Sequence, residues 1–252
     1  MGWQLLHVLS LVMVIFIQKS FVDAATLDAT PTTLQSTGDE VTLAWRDLES
    51  PSMHDWLGIY TPPASADDNY IGYILLSTCA TWATGACSLQ IPMVNMRAPY
   101  NFRLFRGKDT TVSGKHVPKD REGNHLPDVS QRLAVSSIVG FANYNEPTQV
   151  HLALTGKAGE MKVMFVTRDP LKGIVRYGVS KGSLSTKAGT TAITYTQIDM
   201  CDSPANSVGW RDPGYIHTAL VQGLQPKKRY YYQASHLTFI LKRAFVTGKK
   251  GM

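Results

Sequence analysis

Past residue 24 the apolar residues come in short runs, each closed off by Gly, Pro, Asp, Asn, Ser or Thr. That punctuation restricts the chain to β architecture more than any other feature it has. In the first half the runs are Val41 to Trp45, Trp56 to Tyr60, Ile71 to Leu76, Ser88 to Val94 and Tyr100 to Phe105. The turn formers are explicit: Thr37, Gly38 and Asp39 precede the first, Pro62 and Pro63 follow the second, and Thr84 to Ala86 separate the third from the fourth. No stretch holds a 3.6-residue period long enough for a packed helix, apart from a turn at Ser180 to Leu184. Composition agrees, with 13 Pro, 20 Gly and 24 aromatic residues (5 Trp, 11 Tyr, 8 Phe) in 252. At 44 % hydrophobic and 17 % charged the chain is too apolar for disorder and too often interrupted for a multi-span membrane protein.

The spacing predicts two successive β-sandwiches. Residues 107 to 128, poor in apolar side chains and holding two Pro, read as a long exposed loop, and residues 140 to 147 as a linker, which puts the boundary near Asn145. The first domain then covers residues 25–145. In the second, residues 146–233, the expected strands are Gln149 to Leu154, Met161 to Thr167, Ile174 to Tyr177, Thr190 to Tyr195, Tyr215 to Val221 and Tyr230 to Gln233. Met161, Val163 and Phe165 share one face of the second of these, a face built to pack.

Ahead of the sandwiches, Leu5 to Ile17 is thirteen mostly apolar residues, the length of a secretory h-region and short of the ~20 that cross a bilayer. Val22, Asp23 and Ala24 offer a cleavage site, so residues 1–24 read as a signal peptide and the chain as secreted, with no membrane attachment after cleavage. The rival, an uncleaved anchor reaching Val22, would carry Gln18, Lys19 and Ser20 into lipid. There is no Asn-x-Ser/Thr sequon to mark secretion independently. In an oxidising compartment Cys79 and Cys87, eight apart, are candidates to close a small loop, and Cys201 is left over.

The net charge of +6 raises the question of a nucleic-acid partner. Residues 1 to 233 carry 21 basic against 19 acidic side chains, while Lys242, Arg243, Lys249 and Lys250 stand in a tail without acids. The excess belongs to the terminus and not to a binding face, which argues against nucleic acid.

Several longer motifs carry a family resemblance. In Gly214 to Gln233, GYIHTALVQGLQPKKRYYYQ, the residues Leu224, Pro226 and Tyr230 have the spacing of the corner before the sixth strand of a fibronectin type III domain. Pro226 fixes the turn, Leu224 plugs the core and Tyr230 returns its hydroxyl to upstream backbone. Together with PTQVHLALTG (147–156), MKVMFVT (161–167), VRYG (175–178) and MCDSPANSVGWRDPGYIH (200–217), this closely resembles the amino-terminal domain of plant purple acid phosphatases. DWLGIYTPP (55–63) resembles the additional amino-terminal β-domain of the large members of that family. The resemblance implies two β-domains that precede a metallophosphoesterase domain, whose dinuclear centre pairs iron with zinc, manganese or a second iron in the full-length relatives.

No block of that metal centre can be completed here, so the expectation is no catalytic residue, no metal ligand and no cofactor in this chain. Gly123, Asn124 and His125 spell GNH, but Leu126 follows where the family has an acid. The loop residues His116, Asp120, Glu122, His125 and Asp128 read as a solvated loop, and Gly38, Asp39 and Glu40 as a turn. No P-loop or GxGxxG occurs. Trp210, Arg211, Asp212 and His217 form the most prominent polar cluster and are candidates for interdomain contact.

From Ala234 the sequence departs from the family and gives ASHLTFILKRAFVTGKKGM, a divergent basic tail over residues 234–252 and an imperfect substitute for the last sandwich strand. The leading expectation is a truncated, non-catalytic purple acid phosphatase-like protein whose β-sandwich surfaces are available for protein contacts. One rival is a fragment of an active phosphatase whose catalytic domain lies beyond residue 233. Another is an adhesion or carbohydrate-binding module that uses Trp56, Trp82 and Trp210 to stack on sugars.

Overall fold

The computed structural model describes residues 24–107, 129, 131–207, 209–236 and 239–247. The leader reading and most of the 107–128 loop, including the GNH triplet, lie outside these residues. Among the described residues the regular structure is sixteen strands and three single-turn 3₁₀ helices.

The first sandwich is built from β1 (Thr26–Thr30), β2 (Thr33–Leu34), β3 (Glu40–Arg46), β4 (Trp56–Tyr60), β5 (Gly72–Leu75), β6 (Cys87–Pro92), β7 (Asn101–Phe105), β8 (Arg132–Val135) and β9 (Gly140–Phe141). One sheet runs β1-β3-β6 and the other β5-β4-β7-β8, while β2 pairs β9 in parallel. Alternation places Val41, Leu43 and Trp45 on the inner face of β3, all fully buried, with Ile91, Leu89 and Cys87 as their register partners on β6. These residues, with Leu57, Tyr100, Phe102 and Leu104, form the main core. β4 is buried on both faces. On its far side Trp56 stacks on Phe105, centroids 4.4 Å apart, with Tyr60 completing a second aromatic cluster. The segment 140–147, expected to be linker throughout, starts as β9, because Gly140 and Phe141 have backbone partners in Thr33 and Leu34.

The second sandwich holds β10 (Thr148–Ala153), β11 (Met161–Thr167), β12 (Ile174–Gly178), β13 (Thr186–Ile193), β14 (Tyr215–Val221), β15 (Arg229–His236) and β16 (Phe239–Val246). They make one hydrogen-bonded ribbon in the order β10-β11-β14-β13-β12-β15-β16. β13 changes partner midway, pairing β12 through Thr186 to Gly189 and β14 through Thr190 to Ile193. The ribbon folds over at β13, and Val163, Phe165, Val175, Ala219, Val221 and Tyr232 fill the space between its halves.

Two expectations change here. The tail, expected as an imperfect substitute for the last strand, pairs in full: β16 runs antiparallel to β15 from Arg229↔Val246 to His236↔Phe239. The apolar residues of 239–246 suffice for a paired strand, so the sheet continues to Val246. The strand expected at Thr190 to Tyr195 starts four residues earlier, at Thr186, because TKAG pairs through its backbone despite its polar side chains.

At the corner, Leu224 and Tyr230 are buried while Pro226 is exposed. The Tyr230 hydroxyl accepts the Gln225 N–H at 3.0 Å, and the Leu224 N–H donates to the Gly159 carbonyl at 3.0 Å. Cys79 and Cys87 are joined in a disulfide that ties a 3₁₀ turn to the start of β6, and Cys201 is an exposed thiol.

Candidate functional site: the groove between the sandwiches

The junction between the domains is made of short polar side chains that reach in opposite directions. Asn145 Nδ2 donates to Asp169 Oδ2 at 2.6 Å, and the Asp169 N–H returns a bond to Asn145 Oδ1 at 2.9 Å, which fixes the junction to the end of β11. The next residue faces the first sandwich. Glu146 is buried and accepts from the Thr37 N–H at 2.9 Å, the Thr37 hydroxyl at 3.0 Å and Asn95 Nδ2 at 3.2 Å. A buried carboxylate is tolerable only with donors arranged around it, and these are supplied by two loops far apart in sequence.

Beside this junction lies a groove of about 490 Å³, lined by Met96, Arg97, Arg168, Trp210, Arg211 and Asp212 among others. Arg97 Nη2 donates to the Asp212 carbonyl at 3.2 Å, and Arg211 Nη2 reaches the Asn69 carbonyl at 3.0 Å and its side-chain oxygen. Both bonds join one sandwich to the other. Arg211 Nη1 also donates to the Trp210 carbonyl at 2.7 Å, and Trp210 meets Tyr195 edge to face at 5.9 Å. Arg168 lies over the Tyr144 ring with its guanidinium carbon 5.2 Å from the centroid.

Arg97 sits at φ 67° and the facing Gly214 at φ 67°. A β-carbon on Gly214 would fall 2.6 Å from Arg97 Cδ and Nε and would also collide with the Thr167 carbonyl, so glycine is required for Arg97 to lie flat across the backbone. Burial holds the Arg97 guanidinium below its usual range, partly offset by the Asp212 charge.

The sequence-chosen cluster is therefore divided. Trp210, Arg211 and Asp212 line the groove, and their contact is with the first sandwich. His217 does not belong to it. Its side chain is fully buried on the inner face of β14, stacked on Phe165 at 5.0 Å, with Nε2 2.7 Å from the Thr167 hydroxyl and Nδ1 3.2 Å from that of Thr190. The reason is register: 217, 219 and 221 alternate inward together. Trp56 is fully buried, so it is not presented for stacking on a sugar, while Trp82 is half-buried with one side packed against the main core. Arg97, Arg168, Asn69 and Asn145 with Asp169 were not singled out as contact residues. Nothing local marks them, since each acts with a residue 24 or more positions away, 115 for Arg97 and 142 for Arg211 with Asn69.

Among the described residues no group of three or more His, Cys, Asp or Glu is disposed to hold a metal ion. The buried acids are already engaged: Glu146 as above, and Asp55 with Arg106 Nη1 at 2.9 Å and the N–H groups of Ser52 and Gly107. The donor set among the described residues does not fit a dinuclear metal centre.

Two tandem all-β sandwiches joined by a polar clamp, with the groove alongside, define a multi-domain architecture, and the comparisons identify it. Residues 147–245 match the family described as purple acid phosphatase, N-terminal domain. The chain is 41 % identical over 217 residues to probable inactive purple acid phosphatase 9 of Arabidopsis thaliana, covering 85 % of this chain and 33 % of that protein. Probable inactive purple acid phosphatase 1 of the same plant is 31 % identical over 238 residues, covering 85 % and 36 %. The structure of purple acid phosphatase PPD1 from yellow lupin seeds superposes with a TM-score of 0.72 at 26 % identity, over 90 % of this chain and 41 % of that one. Residues 147–245 thus match a purple acid phosphatase N-terminal domain, in a chain similar to the amino-terminal part of plant purple acid phosphatases. The chain spans about a third of the length of the curated relatives it matches.

Proposed function

We propose that these residues act as the non-catalytic amino-terminal portion of a purple acid phosphatase-like protein, two coupled sandwiches that orient and contact other protein surfaces and hydrolyse no phosphoester. The observation that carries this reading is the fate of the chemically capable side chains. His217, Asp55, Glu146 and Asp67 are each held in packing or in ion pairs and hydrogen bonds of the fold. The strand order of the second sandwich, with its buried Tyr230 corner, supports reading it as fibronectin type III-like. Entry into the secretory pathway is part of the same proposal, supported by the apolar run Leu5 to Ile17 and the Cys79–Cys87 bridge.

The test is a phosphomonoesterase assay of the full chain with iron, zinc or manganese supplied and a chromogenic substrate. The expected result is no turnover above a mock preparation. Metal-dependent turnover, or stoichiometric iron in the purified protein, overturns the reading. Sequencing the transcript across codon 233 separates this from the rival in which the same gene encodes a working metallohydrolase.

A further inference from the structure

Two guanidinium groups in the groove retain donor capacity that the fold does not use. Arg97 Nε is buried without a hydrogen-bond partner, and Arg97 makes its one side-chain bond through Nη2. Arg168, exposed on the opposite domain, touches the Tyr144 ring and makes no hydrogen bond among the described residues. Arg211, although bonded to Asn69 and Trp210, adds a third positive charge to the same wall. The one acid lining the groove is Asp212, whose Oδ1 accepts the Gly214 N–H at 2.8 Å.

Arg97 Nε is closed off against Gly214, so an anion or a water in the groove meets this guanidinium at its terminal nitrogens. Three cations against one acid in a cavity of about 490 Å³ favour the anion. The volume admits a group larger than a single water, and Trp210, Met96 and Pro62 provide apolar walls beside the charges. The strained φ of Arg97 and the glycine opposite it hold the guanidinium in place before any ligand arrives, which lowers the ordering cost of binding.

We propose that the groove between the sandwiches binds a compact, multiply charged anion, of phosphate or carboxylate type, through Arg97 and Arg168. The ligand spans the two domains, since Arg97 belongs to the first and Arg168 to the second. The inference is independent of phosphoester chemistry, for it needs no metal.

The experiment is isothermal titration calorimetry of the full chain with inorganic phosphate and, separately, with citrate, both in the presence of a chelator so that no metal-borne site contributes. The expected result is saturable one-to-one binding of at least one anion, weakened about tenfold or more by Arg168→Gln and by Arg97→Gln. Arg168 is exposed, so its variant keeps the fold, and Arg46→Gln, in an exposed ion pair remote from the groove, serves as the unaffected control. Saturation by phosphate alone assigns the phosphate class, and by citrate alone the carboxylate class. No saturable heat from either up to about 10 mM, weaker than the millimolar end of the ordinary affinity scale, overturns the proposal. So does an Arg168→Gln titration indistinguishable from that of the wild type.

Discussion

Asp55→Asn replaces one carboxylate oxygen by an NH₂ group and tests whether the first sandwich depends on one carboxylate. Asp55 is fully buried. Its Oδ2 accepts from the Ser52 N–H at 2.8 Å and from Arg106 Nη1 at 2.9 Å, and its Oδ1 from the Gly107 N–H at 2.9 Å. An amide has one oxygen for these three donors, so its NH₂ must face either Gly107 N–H or the other two. The orphaned N–H costs about 1–3 kcal/mol, and loss of charge weakens the remaining bonds by roughly 1 kcal/mol more. Arg106 keeps the Ser50 and Glu49 carbonyls, both at 2.7 Å, and is about a fifth exposed, which limits the penalty on its side. The total, about 3 kcal/mol, falls at the lower end of the range for breaking a buried ion pair, roughly 3–5 kcal/mol. For a chain of this size it corresponds to a fall in Tm of about 6–12 °C. Thermal unfolding followed by circular dichroism reads it directly. Asp28→Asn, in the exposed pair with Arg46, should cost under about 1 kcal/mol and supplies the contrast. If the two variants melt together, within about 2 °C of the wild type, the account of Asp55 is wrong.

Glu146→Gln should destabilise the protein by about 1–2 kcal/mol, because even with its oxygen kept at the Oε2 position the amide NH₂ faces the Thr37 N–H and the charge is lost, and urea unfolding should show the lower midpoint. Asp39 gives a pH prediction. Its carboxyl lies below the usual range, held there by the N–H groups of Ser36 and Gln35, so its stabilisation is present above the unfolded carboxylate pKa and is lost as pH falls through the lower folded one. A carbon-detected NMR titration should place its midpoint below that of an unstructured peptide, and an unshifted midpoint would exclude the turn as its cause.

Much of the fold is legible where hydrophobic alternation is strong and both ends are punctuated. Trp56–Tyr60, Met161–Thr167 and Tyr215–Val221 have the same bounds in sequence and structure. What escapes includes β2 and β9, two residues each, and the first half of β13, held by backbone pairing with little apolar content, together with β1 and β8, short strands that are missing from the expected runs although Leu27 and Ala29 of β1 join the core. The tail misleads for the opposite reason. Its basic character points to a terminus outside the sandwich, whereas pairing with β15 requires only extended backbone and a tolerable pattern, and the family match runs through residue 245. At the groove, a run of polar residues in a proline-rich loop was enough to single out Arg211. Its partner Asn69 was not legible, because nothing in a single sequence encodes a contact 142 residues away.

The partner change in β13 has a mechanical meaning. One strand is stitched to both halves of the second sandwich, while β10 and β16 lie at the two free ends of the ribbon, so the domain is bound like a book along one spine. Thermal breathing should open it at the fore-edge, and amide deuteration should run from β10 and β16 inward, reaching Thr190 last.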